Sequence, residues 1–152
     1  QGFGSVTRIF CAGRDVLAAI DHEIVLGALA TGREGKAQSF EDQYLSTGGQ
    51  LYELMMGHDR FQADVRPLLS SLLQGRGLPN SLCCHPYDLC TELIAREAGV
   101  LIIDAAGLPL HAELNLDAEV SWAGYANDAI RRCVEPLLQK ALIQHGLLAR
   151  SI

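Results

Sequence analysis

Apolar residues recur along this chain with two periods. Val16, Ile20, Ile24 and Ala28 stand four apart, with Leu17 beside them. That spacing predicts an amphipathic helix, which Asp15 can cap and Thr31-Gly32 can end. Ile130, Val134, Leu137, Leu138, Ala141 and Leu142 predict a long final helix capped by Asn127. Pro136 inside it should kink the helix or divide it in two. Shorter branched or alternating runs predict strands at Thr7 to Ala12, Arg60 to Val65, Val100 to Ile103 and Glu119 to Tyr125. Ala37 to Tyr44 is a further candidate for extended backbone.

The stretch His85 to Asp104 reads as a helix running into a buried strand. Pro86 suits the first helical position, where a missing N–H leaves no intrahelical bond unmade. Leu89, Cys90, Leu93 and Ile94 make the expected apolar stripe. Gly99 is placed to close the helix as its C′ residue. The uninterrupted run Val100-Leu101-Ile102-Ile103 predicts a strand covered on both faces and ending at Asp104. Asp88, in the first turn, complements the positive end of the helix dipole.

The connections are equally readable. Thr47 and Gln50 have capping-box spacing ahead of a helix that Met55-Met56-Gly57 closes. Gly48 and Gly49 leave backbone N–H groups uncovered there, a favourable place for an anion or a sugar hydroxyl. The two methionines read as core filler. Pro67 opens a short helical run through Leu73, and 74–81 is a glycine- and proline-bearing loop. Ala105-Ala106-Gly107 is a turn, and 111–118 a loop with some extended backbone. The alternation of strands and helices predicts a single α/β domain with a mixed sheet flanked by helices.

Composition narrows the picture. The 152 residues suffice for one sizeable core, and 49% of them are hydrophobic. A net charge of −6 without a basic patch argues against nucleic-acid binding. No run approaches the roughly 20 apolar residues that cross a bilayer. Cys11, Cys83, Cys84, Cys90 and Cys133 lie mostly in apolar runs, as buried thiols of a reducing, cytoplasmic compartment would. Cys83, Cys84 and His85 with Cys90 lack the paired spacing of a zinc site. His22, between Asp21 and Glu23, reads as a surface histidine. Gln1-Gly2 fits a cleavage scar, so residues 1–6 are expected to be a tag remnant or a disordered start, with the domain spanning 7–152.

Three short motifs in order carry a resemblance: Gly48-Gly49-Gln50 at a helix start, Tyr87-Asp88 with Glu97-Ala98-Gly99 ten residues on, and Ala126-Asn127 before the last helix. Together they resemble the C-terminal half of the inositol monophosphatase family, magnesium-dependent phosphomonoesterases related to fructose bisphosphatase. The family has Trp where Tyr87 stands, a second Gly where Val100 stands, and a small residue where Gln50 stands. The resemblance implies that Asp88 is a metal ligand for Mg2+. It assigns Gly48, Gly49, Gln50, Asp64 and His85 to the substrate side, with Gln50 narrowing the pocket or making it more polar. On pattern alone Asp64 reads equally as a strand-end carboxylate in solvent, and Thr47 to Gln50 as a plain cap.

The family's remaining metal ligands come from a Glu-Glu pair and an Asp-x-x-Asp-Gly-Thr segment in its first half, and this sequence contains neither. The resemblance therefore implies a C-terminal domain that supplies one ligand and the substrate-alcohol side of a pocket. An N-terminal half of the same protein completes the site, and the chain alone is catalytically incomplete. A small phosphorylated substrate and self-association, as a homo-oligomer, are the partners it implies. The reading from another class is a non-catalytic α/β module for self-association or partner binding.

Overall fold

The computed structural model describes residues 4–31 and 46–149, so the candidate strand at 37–44 lies outside the described residues. Four short strands form one mixed sheet: β1 (Gly4–Val6), β2 (Phe61–Asp64), β3 (Leu101–Asp104) and β4 (Trp122–Tyr125), in the order β1-β2-β4-β3. β1 runs parallel to β2, while β4 is antiparallel to both β2 and β3. Gly4 opens β1 at φ +96, and a Cβ there would lie 1.5 Å from the Phe61 carbonyl oxygen, so the close approach needs glycine.

The pleat divides the sheet between two cores. On one face Val6, Phe61, Ala63, Ile103, Ala123 and Tyr125 pack with α1 (Arg14–Thr31) and α5 (Asp128–Gln144). The paired rings of Phe61 and Tyr125 sit 5.5 Å apart across β2 and β4. On the other face Ile102 and Trp122 pack with Leu51 and Leu54 of α2 (Thr47–Met55) and Ala95 of α4 (Glu92–Glu97). Ile102 and Ile103 thus serve opposite cores, and their run is covered on both faces as its pattern predicts. A short helix α3 (Ser70–Gly75) follows a 3-10 turn at Arg66–Leu69. The result is an α/β fold, a mixed sheet flanked by helices.

Helix ends follow local chemistry. Asn127 Oδ1 accepts from the Ile130 N–H at 3.0 Å, the expected cap of α5. Gly99, at φ +94, closes α4 with a pair of bonds: its own N–H to Arg96 O and the Val100 N–H to Ala95 O. α5 runs unbroken through Pro136. The proline is exposed, so the carbonyl it leaves unbonded one turn earlier, at Arg132, is on the side open to water.

Four expectations are corrected. The first strand lies at Gly4–Val6 rather than at 7–12, so residues 4–6 belong to the sheet rather than to a disordered start. The ladder ends where the Thr7 N–H reaches Ala63 O at 2.8 Å. The helix expected from Pro86 is split into a 3-10 turn (Pro86–Leu89) and α4, with Thr91 non-helical between them. That break rotates the stripe: Leu89 and Ala95 are buried, while Cys90, Leu93 and Ile94 are exposed. α2 is capped one residue early, by Ser46 Oγ accepting from the Gly49 N–H at 3.1 Å, so Thr47 and Gln50 form no capping box. Met55 packs against the second core but Met56 is exposed, so only one of the two methionines fills it.

Replacing Asn127 with Ala should lower unfolding stability by about 1 kcal/mol, read as a lower urea midpoint with an unchanged slope.

Candidate functional site

The second face of the sheet turns polar toward β1. Gln62 is buried there in place of an apolar side chain. Its amide donates to Asp59 Oδ2, and its carbonyl oxygen lies 3.4 Å from Gln50 Nε2. The same Gln50 nitrogen donates to Thr7 Oγ1 at 2.6 Å. Thr7 and Gln50, from the end of this row, line a cleft of about 240 Å³. Two helical starts meet at the cleft: Ser46 and Thr47 opening α2, and His85 and Asp88 of the Pro86–Leu89 turn.

Asp88 lines this cleft with its side chain 37% exposed. Its Oδ2 accepts from the His85 backbone N–H at 2.9 Å, which fixes the carboxylate over the turn. The His85 ring nitrogen Nδ1 is 3.6 Å from the same oxygen, and the ring stacks on Tyr87 at 5.1 Å and 7°. Pro86 presets the turn backbone that brings these groups together.

Asp64 is neither in solvent nor open to a ligand. Its side chain is 0% exposed, and both oxygens are held by Arg66, Oδ1 by Nε at 2.8 Å and Oδ2 by Nη2 at 2.6 Å. The third guanidinium nitrogen, Nη1, donates to Ile9 O at 2.9 Å. Burial pulls the Arg66 pKa down, but the bond and charge of Asp64, with the neighbouring thiols of Cys83 and Cys11, more than reverse this and leave it raised. Arg66 also lines the cleft, so the pair joins the end of β2 to the segment that forms one side of the cleft. Asp64 therefore positions the site from behind rather than contacting what enters it.

The remaining expected residues fall as follows. Gln50 lines the cleft, and its amide donor is already engaged by Thr7 and Gln62. The cleft is lined by the neighbours of Gly48 and Gly49 rather than by the glycines. A Cβ at Gly48 would sit 3.9 Å from Thr91 Oγ1, an ordinary contact, so packing does not require glycine there. His22 is exposed. Among the described residues no group of three or more His, Cys, Asp or Glu side chains is placed to hold a metal ion. Cys83 and Cys84 are buried, and desolvation pushes both thiols up to about 12.

Three cleft residues had no reading in the sequence. Arg66 follows its partner by two positions, and only burial gives that spacing meaning. Phe10 lies at the mouth at φ +54, a left-handed backbone that a sequence does not advertise for phenylalanine. Leu82 joins it, its N–H reaching Phe10 O at 3.3 Å. Compared with protein-family models, curated proteins and solved structures, the chain matches none.

Three outcomes follow from this geometry. Asp64→Ala should destabilise the chain by roughly 3–5 kcal/mol, because it strands the buried Arg66 charge, and urea unfolding measures it. The buried thiols keep their protons well above the ordinary value of 9.0. Unfolded thiols release theirs near that value, so their contribution to stability should be whole below about pH 9 and fall as pH rises toward about 12. Iodoacetamide at pH 8, followed by peptide mass analysis, should label exposed Cys90 well before Cys83 or Cys84.

Proposed function

We propose that this chain is the C-terminal domain of a magnesium-dependent phosphomonoesterase of the inositol monophosphatase type. One observation carries the reading: Asp88 and the start of α2 line the same cleft. Those are the metal-ligand position and the substrate-alcohol element that the resemblance pairs. The order of the three motifs along the chain supports it further.

The donor set fits part of a magnesium site and not a whole one. Among the described residues Asp88 is the single carboxylate that lines the cleft, and Asp64 behind it is spent on Arg66. Magnesium bound through one carboxylate keeps most of its waters and is held weakly. No catalytic step through the ion is therefore assigned to this chain alone. What its residues do in this reading is local. The His85 N–H holds Asp88 in place. Thr47 and Gln50 shape the alcohol side of the cleft. The other carboxylates come from an N-terminal half of the same protein, in a cytoplasmic enzyme that self-associates and has no business with nucleic acid or membrane.

The test is magnesium-dependent phosphate release by this chain with and without a separately made N-terminal half. The chain alone should release nothing above background, and mixing should restore turnover. Asp88→Asn in the mixture should lower turnover by on the order of 10²-fold, the usual loss when one stabilising contact to the transition state is removed. Turnover by this chain alone that Asp88→Asn abolishes would refute the divided site. Full turnover by the Asp88→Asn mixture would remove the aspartate from the chemistry. No turnover in any mixture would favour a non-catalytic module.

A further inference from the structure

Beside the cleft the surface carries apolar side chains that both cores leave out. The segment between β3 and β4 packs Leu110 and Ala112 against the second core, then presents Leu114 at 105% and Leu116 at 75% exposure. Its backbone is held in a defined turn there. The Asn115 N–H donates to Glu113 O and the Asp117 N–H to Asn115 Oδ1, both at 2.8 Å. Leu114, Asn115 and Leu116 line a groove of about 250 Å³ together with Pro86 and Tyr87. Tyr87, 54% exposed, also lines the neighbouring cleft with Phe10 and Leu82. Exposed apolar side chains scattered singly need no explanation, but a group around one groove with a polar rim marks an interaction surface. The groove is smaller than the roughly 300–1,000 Å³ of a pocket for a free ligand, and it suits single side chains of a larger partner.

Charge decides the kind of partner. Residues 77–130 hold eight carboxylates and one cation, Arg96, a formal −7 that exceeds the −6 of the whole chain. Two of the eight, Glu113 and Asp117, flank the outward leucines and are themselves exposed. Exposed carboxylates elsewhere are met by a cation, Asp15 by Arg76 and Asp128 by Arg132. Among the described residues no cation pairs with Glu113 or Asp117. A second copy of this chain would bring the same acidic face to the contact, and an anionic membrane surface would be repelled as well. The groove lies between a 3-10 turn and a loop, with no strand edge on it. A partner must therefore offer side chains rather than backbone, as a helix does.

We propose that this face docks a basic amphipathic helix of a partner protein. Apolar side chains of that helix enter the groove lined by Pro86, Tyr87, Leu114 and Leu116, and its lysines or arginines meet Glu113 and Asp117. Burial of the leucines supplies affinity, and the carboxylates select a cationic partner over others. The phosphomonoesterase reading is not needed for this, since neither Asp88 nor a metal ion takes part.

The probe is a fluorescent peptide of about 20 residues, long enough to hold a helix, with leucines at helical spacing and lysines on its other face. Anisotropy follows its binding to this chain beside two controls: the same composition with the spacing scrambled, and glutamate in place of every lysine. The lysine helix should bind about tenfold tighter than either control. Replacing both leucines, Leu114→Ser with Leu116→Ser, should weaken its binding about tenfold, the weight of a hot-spot contact. Glu113→Gln with Asp117→Asn should also weaken it and flatten its dependence on salt. All four positions are exposed, and circular dichroism checks that the variants fold. Equal binding of either control, a lysine helix that ignores both double variants, or no binding at all overturns the proposal. Three other occupants would overturn it as well. A dimer in sedimentation velocity that the leucine double variant dissociates gives the face to a second copy. Phosphatidylcholine vesicles that bind the chain through the same leucines give it to a membrane. Phosphate release by the mixed halves that the leucine double variant abolishes gives it to the N-terminal half, whereas turnover that survives keeps this face apart from the active site.

Discussion

A buried ion pair, Asp64 with Arg66, is the contact on which the site's architecture depends. A fully buried carboxylate is tolerable only when its charge is met and its oxygens are bonded, and Arg66 does both with two side-chain nitrogens. Its third nitrogen is then free to hold Ile9 O. Through that single guanidinium the end of β2 fixes the segment after β1, and with it the side of the cleft that carries Thr7 and Phe10. Nothing in the regular ladder could do this, because hydrogen bonding between β1 and β2 stops at Thr7.

Around that anchor the two faces of the sheet are built differently. The α1 and α5 face is mostly apolar, save for buried Asp21 of α1, which accepts from the Val6 N–H at 2.9 Å, and it closes with large interlocking side chains such as Phe61, Tyr125 and Leu138. The α2 and α4 face begins apolar at Trp122 and Ile102 and becomes amide-rich at Gln62 and Gln50. Buried amides are stable only when paired, and the pairing runs continuously from Asp59 through Gln62 and Gln50 to Thr7. The first face therefore holds the fold together, while the second gives up part of its apolar surface to form a cleft.

Periodicity revealed the long elements because a helix of four or more turns repeats its pattern often enough to be unambiguous. α1, α5, the Asn127 cap and the Gly99 stop are all legible for that reason. The split at Thr91 was not, since Leu89, Cys90, Leu93 and Ile94 satisfy helical spacing whether or not the chain uses it. β1 was missed because Gly-Ser-Val has no alternation to show, and its glycine is dictated by a distant carbonyl at Phe61. At the cleft, Asp88 and the α2 start could be singled out through short motifs. Arg66 and Phe10 could not, because their roles arise from a tertiary contact and a left-handed backbone angle.

The order of the sheet also bears on how the chain reaches its fold. β3 and β4 are close in sequence, and so are α2 and β2, so these pieces can meet early at little loss of chain entropy. β1 is different: its parallel partner β2 lies beyond the whole of α1, the residues after it and α2. A three-residue strand offers few bonds to repay such a long closure, and non-local pairing of this kind is slow. The segment behind β1 should therefore settle last during folding and open first in the native state. The wall bearing Phe10 would then exchange its amide hydrogens sooner than the α1 and α5 core does, which makes the cleft more adaptable than that core.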